Sequence, residues 1–410
     1  MRIGMVSQWY PPESPGIIAP TMARSLAARG HEVHVVTGFP NYPDGELYPG
    51  YSIRPYQREM DGEVTVHRGP LVPSHDRSAA KRAVNYLSFS VGASLAAARV
   101  ARPDVWLTNG TPVTAAIPAT LWSTIQRSAH AMVVQDLWPE SVTESGFTSP
   151  ETAAKMDQVL RPASDFLYRR ANALGVISPG MRHTLAERGV DEEAICDTPN
   201  AVGDDHLILG QIDRRALRQE LSLPPEGRLF MYAGNLGELQ NLDNLLQAFL
   251  EVPPAHLVLV GSGVARERLM QQAGEAPNIT FVDRQPLDQI GRYIAASDVQ
   301  VVSLEDSPLL RVTMPSKVQT SLASGRPILA HAAGDAADVV TGLGAGLAGH
   351  PGDPRATAQA IATMMSLSSI ELDRMGACGR AAYETNYTPA ATGERLENLL
   401  MTAQSRRTHD

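Results

Sequence analysis

The sequence has few cysteines: only Cys196 and Cys378 occur in 410 residues. Two thiols provide neither a disulfide framework nor a cysteine-rich zinc site, and such sparse use is typical of proteins that fold in a reducing compartment. The first residues, MRIGMVSQWYPPE, reach a Trp-Tyr-Pro-Pro segment too early to form the apolar stretch of a signal peptide. We therefore expect a cytoplasmic protein.

Long apolar runs are also lacking. No window approaches the roughly 18 apolar residues of a membrane-spanning helix, so any membrane contact is expected to be peripheral. The 35 lysines and arginines are outnumbered by 44 acidic residues, which gives a net charge of −9. This charge argues against binding to nucleic acid, because such binding requires basic residues that neutralise the phosphates. The 11 histidines have no paired ligand spacing, and no convincing DxD-type pair occurs, so no catalytic metal is expected.

One segment departs from this acidic average. Between Arg77 and Arg102 the chain has basic residues and no acidic one, interleaved with apolar side chains that include Tyr86 and Phe89. Two interpretations are open. The segment is either an ordinary helix with its cations in solvent and its aromatics in the core, or a surface that docks on anionic head groups.

Alternating strand and helix patterns are abundant. At 410 residues the chain exceeds the roughly 250–300 residues at which one core stops growing, so we expect two domains. Residues 1–7, 18–29 and 31–37 have the patterns of a strand, a helix and a strand, which predict a βαβ unit of a parallel sheet. A second α/β series follows the turn-rich segment 198–205, and the last segment, about 373–404, is helical by pattern. The predicted parts are an N-terminal domain over 1–200, a C-terminal domain over 201–380, and a helix with a tail over 381–410.

Two loops of the N-terminal half follow predicted strands. QWYPPESPG places Glu13 and Gly16, and QDLWPES places Asp136, Trp138 and Glu140, where a parallel sheet presents its ligand edge. A glycine lets main chain approach a ligand, a carboxylate can bind sugar hydroxyls or move a proton, and a tryptophan can stack on a ring. The alternatives are a proline-rich surface loop, a helix-capping aspartate and a buried tryptophan.

The C-terminal half has glycine-rich turns after two predicted strands, YAGNLG and GSG, and turns of this kind offer backbone N–H groups to phosphate. GSG is not GxGxxG, so no nicotinamide-type fingerprint is present. In SPLLRVTMPSK a helix start at Pro315-Ser316 is flanked by Arg311 and Lys317, which predicts an anion site suited to a diphosphate. The alternative is a pair of solvated surface cations.

These segments, together with LAARGHEVHVVTGFPNYPDG and LASGRPI, span nearly the whole chain in one order. In them the sequence resembles GT-B-fold glycosyltransferases of the family 4 type, and within these the WbuB- and WcaI-like group of bacterial surface polysaccharide synthesis. The resemblance implies an α/β fold of two Rossmann-like doubly wound domains facing across a cleft that holds the active site. It also implies that the C-terminal helix packs back toward the N-terminal domain.

For function, the resemblance implies metal-independent, retaining transfer of a hexosyl group from a nucleotide-diphosphate sugar, with no cofactor. N-acetylated and deoxy hexoses are among the candidate sugars. The acceptor implied is a polyprenyl-linked saccharide at the inner membrane surface, which the segment from Arg77 to Arg102 would contact. Two alternatives share this architecture or its binding site: a sugar-nucleotide 2-epimerase and a non-catalytic scaffold that binds nucleotide sugars. Retention without an enzymic nucleophile suggests a front-face displacement.

The resemblance also implies roles by position. Asp136, Arg311 and Lys317 would be catalytic, and Glu13, Trp138 and Glu140 would bind the acceptor. The implied donor-binding residues are Gly16, Gly234, Asn235, Gly237, Gly261, Arg284, Pro315, Ser316 and Thr320.

The sequence departs from the family pattern at two places. The loop NLGELQ has Asn235 and Gln240 where many members have arginine and lysine, and the usual pair of glutamates falls on Val312 and Thr320. Positive charge then has to come from Arg311 and Lys317, and ribose binding differs in detail.

Overall fold

The computed structural model describes residues 1–13, 18–74, 79–143, 150–210 and 212–407. The chain divides into two compact units. The N-terminal unit comprises Met1–Ala201 together with Pro389–Asp410, and the C-terminal unit comprises Val202–Thr388. The last segment of the chain therefore belongs to the same unit as the first.

The N-terminal unit contains a sheet whose described strands run in the order β3-β4-β2-β1-β5-β6-β7-β8. These strands are β1 (Arg2–Val6), β2 (Glu32–Gly38), β3 (Gln57–Asp61), β4 (Val64–Gly69), β5 (Val105–Asn109), β6 (Ala129–Val134), β7 (Ala173–Val176) and β8 (Ile195–Asp197). Edge strand β3 pairs antiparallel with β4, and the other described pairs are parallel. Strands β4 to β7 are buried along their whole length, because helices cover both faces of a parallel sheet.

The helices of this unit cover that sheet. They are α1 (Ala19–Ala28), α2 (Ala79–Ala97), α3 (Ala116–Gln126), α4 (Glu140–Thr143), α5 (Pro150–Arg170), α6 (Pro179–Glu187) and the last helix of the chain, α16 (Pro389–Arg407). Helix α16 packs on α1 and on β6 and β7, and it buries Leu396, Leu399 and Leu400 there. The expected packing of the C-terminal helix on the N-terminal domain is confirmed.

The C-terminal unit contains an all-parallel sheet whose described strands run in the order β11-β10-β9-β12-β13-β14. The strands are β9 (Arg228–Ala233), β10 (Ala255–Val260), β11 (Ile279–Val282), β12 (Val299–Ser303), β13 (Ile328–His331) and β14 (Gly346–Gly349). The order reverses direction between β9 and β12, and ligands of doubly wound sheets bind at such a point, beyond the carboxyl ends of the strands.

Helices flank this second sheet. They are α7 (Arg214–Glu220), α8 (Leu242–Leu250), α9 (Arg266–Ala273), α10 (Leu287–Ala296), α11 (Pro308–Arg311), α12 (Ser316–Ala323), α13 (Asp335–Gly342), α14 (Pro354–Ser366) and α15 (Ser369–Asn386). Phe230 of β9 and Phe249 of α8 pack edge to face in the core, with ring centroids 5.2 Å apart. The predicted pair of parallel α/β sheets is confirmed.

Several details differ from the sequence-based expectation, among them the short strands β8 and β14, which were not predicted. The segment 373–404 is not one helix: α15 ends at Asn386 and α16 begins at Pro389. Proline lacks an N–H and restricts the residue before it, so it starts a new helix here. The β3–β4 hairpin was not among the predicted strands, because the sequence of β3, QREMD, is polar and lies partly exposed at the sheet edge.

In the part of the chain that the structure describes, no helix has both the length and the apolar character needed to cross a bilayer. Within the same residues, no three His, Cys, Asp or Glu side chains come together as metal ligands would.

Candidate active site

The carboxyl edge of the C-terminal sheet is formed by two glycine-rich turns. Gly234 follows β9 and Gly261 follows β10, and the two turns are hydrogen-bonded to the ends of neighbouring strands. The N–H of Gly234 donates to the carbonyl of Val260 at 2.9 Å, and the N–H of Gly261 donates to the carbonyl of Val282 at 3.0 Å. The two turns therefore continue the sheet and hold their main chain side by side.

Glycine is required where these turns touch. Gly261 has φ +153°, and a Cβ built on it would lie 1.9 Å from the carbonyl oxygen of Gly234. The N–H of Leu236 donates to the carbonyl of Ser262 at 2.8 Å, which joins the turns a second time. The result is a platform of main chain with no side chain between its two layers.

Asn235, Gly237 and Gln240 form the rest of the first turn. The side-chain oxygen of Gln240 accepts from the N–H of Gly237 at 3.1 Å and from Nδ2 of Asn235 at 3.4 Å. Gln240 thus stabilises the loop from inside, while Asn235 is exposed.

Lys317 brings positive charge to this platform. It stands in the first turn of α12, and its side chain lies against Gly234, where a Cβ would come within 2.4 Å of Cε of Lys317. Its Nζ lies 2.5 Å from the hydroxyl of Tyr232, a fully buried residue of β9. Burial lowers the pKa of Lys317 to about 8. Among the described residues, no carboxylate pairs with this ammonium, so its charge is available to an anion.

The beginning of α12 makes a second contribution that favours a bound anion. Pro315 precedes the helix and Ser316 is its exposed first residue, so the N–H groups of the first turn stand beside Lys317. The hydroxyl of Thr320 donates to the carbonyl of Ser316 at 3.0 Å and is used within the helix. Of the three groups predicted to bind an anion, the structure therefore places the helix terminus and Lys317 side by side.

Arg311 is engaged differently from Lys317. It is exposed at the end of α11, and its guanidinium forms a two-point pair with Asp306, with Nε 2.6 Å from Oδ1 and Nη2 2.9 Å from Oδ2. This pairing raises the pKa of Arg311 and lowers that of Asp306. No hydrogen bond joins Arg311 to Lys317 within the described ranges. Arg284 is exposed two residues after β11 and has no hydrogen-bond partner in the described part of the chain.

At the carboxyl edge of the N-terminal sheet, Asp136 stands two residues after β6. It is half-buried, and its Oδ2 accepts a hydrogen bond from the hydroxyl of Thr111 at 2.9 Å. Burial raises the pKa of Asp136, and the Thr111 hydrogen bond opposes that shift only in part. Its other oxygen accepts no hydrogen bond from the described residues, which leaves it available to a hydroxyl group of a substrate.

A row of buried amides along this edge was missed by the sequence reasoning. Nε2 of Gln8 donates to Asn85 at 2.7 Å, Nδ2 of Asn109 donates to the hydroxyl of Ser7 at 3.2 Å, and Gln135 and Asn200 bond to each other. Oε1 of Gln8 and Oδ1 of Asn109 are buried without a partner among the described residues. The available signal was an amide at the last position of β5 and within two residues after β1 and β6.

Glu13 holds the first loop in place. It is 5% exposed, and its carboxylate accepts three main-chain N–H groups, from Tyr10 at 2.8 Å, Asn41 at 2.8 Å and Tyr42 at 2.9 Å. Burial raises the pKa of Glu13 to about 6 although these three contacts favour the charged form. Both oxygens are therefore used within the protein. Gly16 lies outside the described residues.

Trp138 and Glu140 are held by a network around Arg188. Trp138 is 8% exposed, its ring lies 6.2 Å from that of Tyr86, and its carbonyl accepts from Nη2 of Arg188 at 2.7 Å. Glu140 pairs with Arg161 at 3.0 Å and with Arg188 at 3.4 Å. Both residues thus stabilise the corner that presents Asp136, and the ring of Trp138 has little free surface for stacking.

Family profiles match both units of the chain. Residues 16–201 match the family described as "Glycosyl transferase 4-like domain", and residues 227–366 match "Glycosyl transferases group 1". The chain is 29% identical over 336 residues to the "Putative colanic acid biosynthesis glycosyl transferase WcaI" of Escherichia coli (strain K12), covering 79% of this chain and 82% of that protein. It is 25% identical over 306 residues to the "Probable glycosyltransferase WbjE" of Pseudomonas aeruginosa, covering 73% and 74%.

Solved structures share the fold. Sucrose-phosphate synthase from Thermosynechococcus elongatus superposes with a TM-score of 0.74 at 18% identity, covering 97% of this chain and 98% of that one. WaaG, described as a glycosyltransferase involved in lipopolysaccharide biosynthesis, gives 0.66 at 14% identity, covering 97% and 99%. Anabaena HepE, solved in complex with UDP, gives 0.69 at 14% identity, covering 98% and 100%.

The two parallel-sheet units and these neighbours define the GT-B class of folds. The chain belongs to the GT-B glycosyltransferases of the family 4 type, and one of its relatives is named for colanic acid biosynthesis.

Proposed function

We propose that this glycosyltransferase transfers a sugar from a nucleotide-diphosphate donor to a lipid-linked saccharide, in the synthesis of a cell-surface polysaccharide at the inner face of the membrane. The main evidence for a nucleotide-diphosphate donor is the ammonium of Lys317. It lies against the glycine-rich turn at Gly234 and is unpaired with any carboxylate of the described chain. Support comes from HepE, a structural neighbour solved with UDP and with UDP-glucose, and from the name of the relative WcaI.

Negative charge develops on the leaving diphosphate as its bond to the donor sugar breaks. Lys317, the first-turn N–H groups of α12 and the main chain of the platform are the groups that would stabilise it, since fixed donors and positive charge act strongly in a partly buried site. No metal ion is required in this proposal, because the positive charge comes from the protein.

The chemical step proposed is a front-face displacement with retention. The bond from the anomeric carbon to the phosphate oxygen breaks, and the acceptor oxygen bonds to that carbon on the same face. The proton of the acceptor hydroxyl passes to the departing phosphate oxygen. Asp136 has a raised pKa and one oxygen without a partner in the described chain, so it suits a hydrogen bond to a reacting sugar hydroxyl.

The proposed membrane contact rests on an apolar surface of the N-terminal unit. Its exposed side chains, which we call the α2–α3 face, are Val84, Leu87, Val91 and Leu95 of α2 and Ile117, Leu121 and Ile125 of α3. The spacings of three or four residues put each set on one side of its helix, and the two helices pack together. Exposed apolar side chains grouped on one side of a helix are typical of an interaction surface.

Charge around the α2–α3 face fits an anionic surface. Lys81 is exposed one turn before Val84, and neither α2 nor α3 contains an acidic residue. Apolar side chains flanked by cations favour the head-group region of an anionic leaflet. Phe89 is buried in the core and Tyr86 is half-buried against Trp138, so the aromatics of this segment belong to the fold. Arg77 lies outside the described residues.

A donor screen tests the function. The full chain is mixed with a panel of nucleotide sugars, and thermal shift and release of free nucleoside diphosphate are measured with and without a bacterial lipid extract. We expect stabilisation by one donor, and diphosphate release only when lipid is present, unaffected by EDTA. Donor conversion without lipid would instead identify a sugar-nucleotide epimerase, and stabilisation without release in any extract would favour a non-catalytic binder.

A further inference from the structure

A cavity of about 710 Å³ opens at the amino ends of β6, β7 and β8. Ser128, Asn172 and Ala194, each directly before one of these strands, line it. Asp136 and the buried amides stand at the carboxyl ends of the same sheet. The cavity is therefore on the opposite edge of the N-terminal unit from the residues proposed to meet the acceptor.

The lining of this cavity is strongly basic. The last residues of α5 and α16 contribute arginines to it, and Arg127 follows directly after the end of α3. The charged residues that line it in the described chain are Arg127, Arg169, Arg170, Arg406, Arg407 and Asp191. The protein has a net charge of −9, whereas this lining has five cations and one carboxylate and is therefore locally positive.

Some of these arginines have partners and two do not. Arg406 pairs with Asp191, Nη1 of Arg169 donates to the carbonyl of Arg188 at 3.3 Å, and Arg407 donates to the carbonyl of Arg127. Arginines at helix ends also offset the helix dipole, which accounts for contacts of this kind. The guanidinium groups of Arg127 and Arg170, in contrast, have no hydrogen-bond or ion-pair partner among the described residues.

Ser128, a residue that lines the same cavity, provides an independent observation. Ser128 is 5% exposed, and its Oγ is buried without a hydrogen-bond partner in the described part of the chain. A buried polar group left without a partner costs free energy, and native structures rarely retain one unless something else binds it. A helix-dipole role for the arginines does not account for this hydroxyl.

We infer that the cavity binds a phosphate-bearing anion through Arg127, Arg170 and Ser128. Guanidinium groups recognise phosphate oxygens by paired hydrogen bonds, a hydroxyl can supply a further contact, and the volume is that of a small-molecule site. This site is separate from the proposed donor site, which is built from Lys317 in the C-terminal unit.

Two sources can supply such a phosphate. One is a soluble phosphate compound. The other is the head group of an anionic phospholipid, because exposed Ile125 and Phe166 stand shortly before Arg127 and Arg170 on α3 and α5. Acyl chains would lie along these apolar side chains while the phosphate enters the cavity.

The test measures binding of inorganic pyrophosphate by calorimetry, and flotation with phosphatidylcholine vesicles with and without phosphatidylglycerol. The variants are Arg127→Gln/Arg170→Gln and Ser128→Ala. The control, Arg58→Gln/Arg374→Gln, removes two exposed arginines elsewhere. Each comparison is repeated in a Lys317→Ala background, so that pyrophosphate at the proposed donor site does not contribute.

We expect the Arg127/Arg170 variant to weaken one of the two interactions by at least about tenfold, the Ser128 variant to weaken it less, and the control to match wild type. Loss of pyrophosphate binding identifies a soluble ligand, and loss confined to phosphatidylglycerol vesicles identifies a head group. The proposal is overturned if neither probe binds, or if the cavity variant and the control bind both probes equally.

Discussion

The ammonium of Lys317 lies 2.5 Å from the hydroxyl of Tyr232, and that hydroxyl donates its own proton to the carbonyl of Asn235 at 2.7 Å. Because the proton of Tyr232 is used in this way, its oxygen can only accept from Lys317. The buried tyrosine thus positions the charge beside the turn that contains Asn235. This relationship makes Lys317 the first residue to test.

Lys317→Ala should reduce turnover by at least about 100-fold without lowering the melting temperature. The variant removes the charge proposed to stabilise the leaving diphosphate, whereas burial already penalises that charge in the folded chain. Steady-state kinetics and thermal unfolding measure the two effects. The matched control is Lys155→Ala, which removes an exposed lysine of α5. Wild-type turnover in the Lys317 variant would remove this residue from the mechanism.

The rate should also fall as pH rises through about 8. The pKa of Lys317 is lowered to about that value, so the ammonium is present below it and is lost above it. Lys317→Arg keeps its charge at higher pH and should move the decline upward, with a lower maximal rate because the guanidinium does not fit the contact with Gly234. A decline at the same pH in both proteins would assign it to another group.

Asp136→Asn should lower kcat by about 100-fold and leave folding intact. The amide oxygen can still accept from Thr111, but an amide carries no negative charge and accepts a hydrogen bond from a reacting sugar hydroxyl more weakly than a carboxylate does. Burial raises the pKa of Asp136, so loss of its charge should not lower the melting temperature. Thr111→Ala provides the comparison, with a smaller loss of kcat. An unchanged kcat in the asparagine variant would place Asp136 outside the reaction.

Glu13→Ala should destabilise the protein by at least about 2 kcal/mol, because three main-chain N–H groups would lose their acceptor in the interior. The melting temperature measures this. Glu63→Ala, at an exposed position in the same unit, is the control and should have no effect. If Glu13→Ala keeps its melting temperature but loses acceptor affinity, the binding role implied by the sequence is supported over the structural one.

Leu87→Gln/Val91→Gln should weaken flotation with phosphatidylglycerol vesicles by at least about tenfold. Both side chains are exposed on the α2–α3 face, and their burial in the head-group region contributes apolar free energy that glutamine does not. The matched control, Val264→Gln/Ile370→Gln, changes two exposed apolar residues of the C-terminal unit. Equal flotation of both variants would show that this face does not bind the membrane.

Much of the fold was accessible from local sequence patterns. The runs RLFMYA and HLVLV predict β9 and β10, and the glycines after them mark the turns at Gly234 and Gly261. These signals are local because strand burial and turn conformation depend on neighbouring residues. The β3–β4 hairpin was missed because an edge strand is only partly buried and its sequence is not apolar.

The candidate site was accessible only in part. The segment PSK predicts where α12 starts and places a lysine there. It does not show which groups the charged side chains pair with. Arg311 and Lys317 look alike in the sequence, yet Asp306 pairs with the first and no described carboxylate pairs with the second. From the sequence alone, Glu13 likewise looks like a free carboxylate. In the structure, the loop at Asn41 supplies two N–H groups that donate to it.

The sequence by itself determined two α/β units, most of the central strands of their sheets and the polar loops that follow those strands, because periodicity and turn chemistry act over a few residues. Only the tertiary structure decided which charges are already paired. It also assembled the arginine-lined cavity from Arg127, Arg170 and Arg406, which are far apart in the chain. The physical reason is that pairing and burial depend on distances between segments, and these are set only when helices and strands pack.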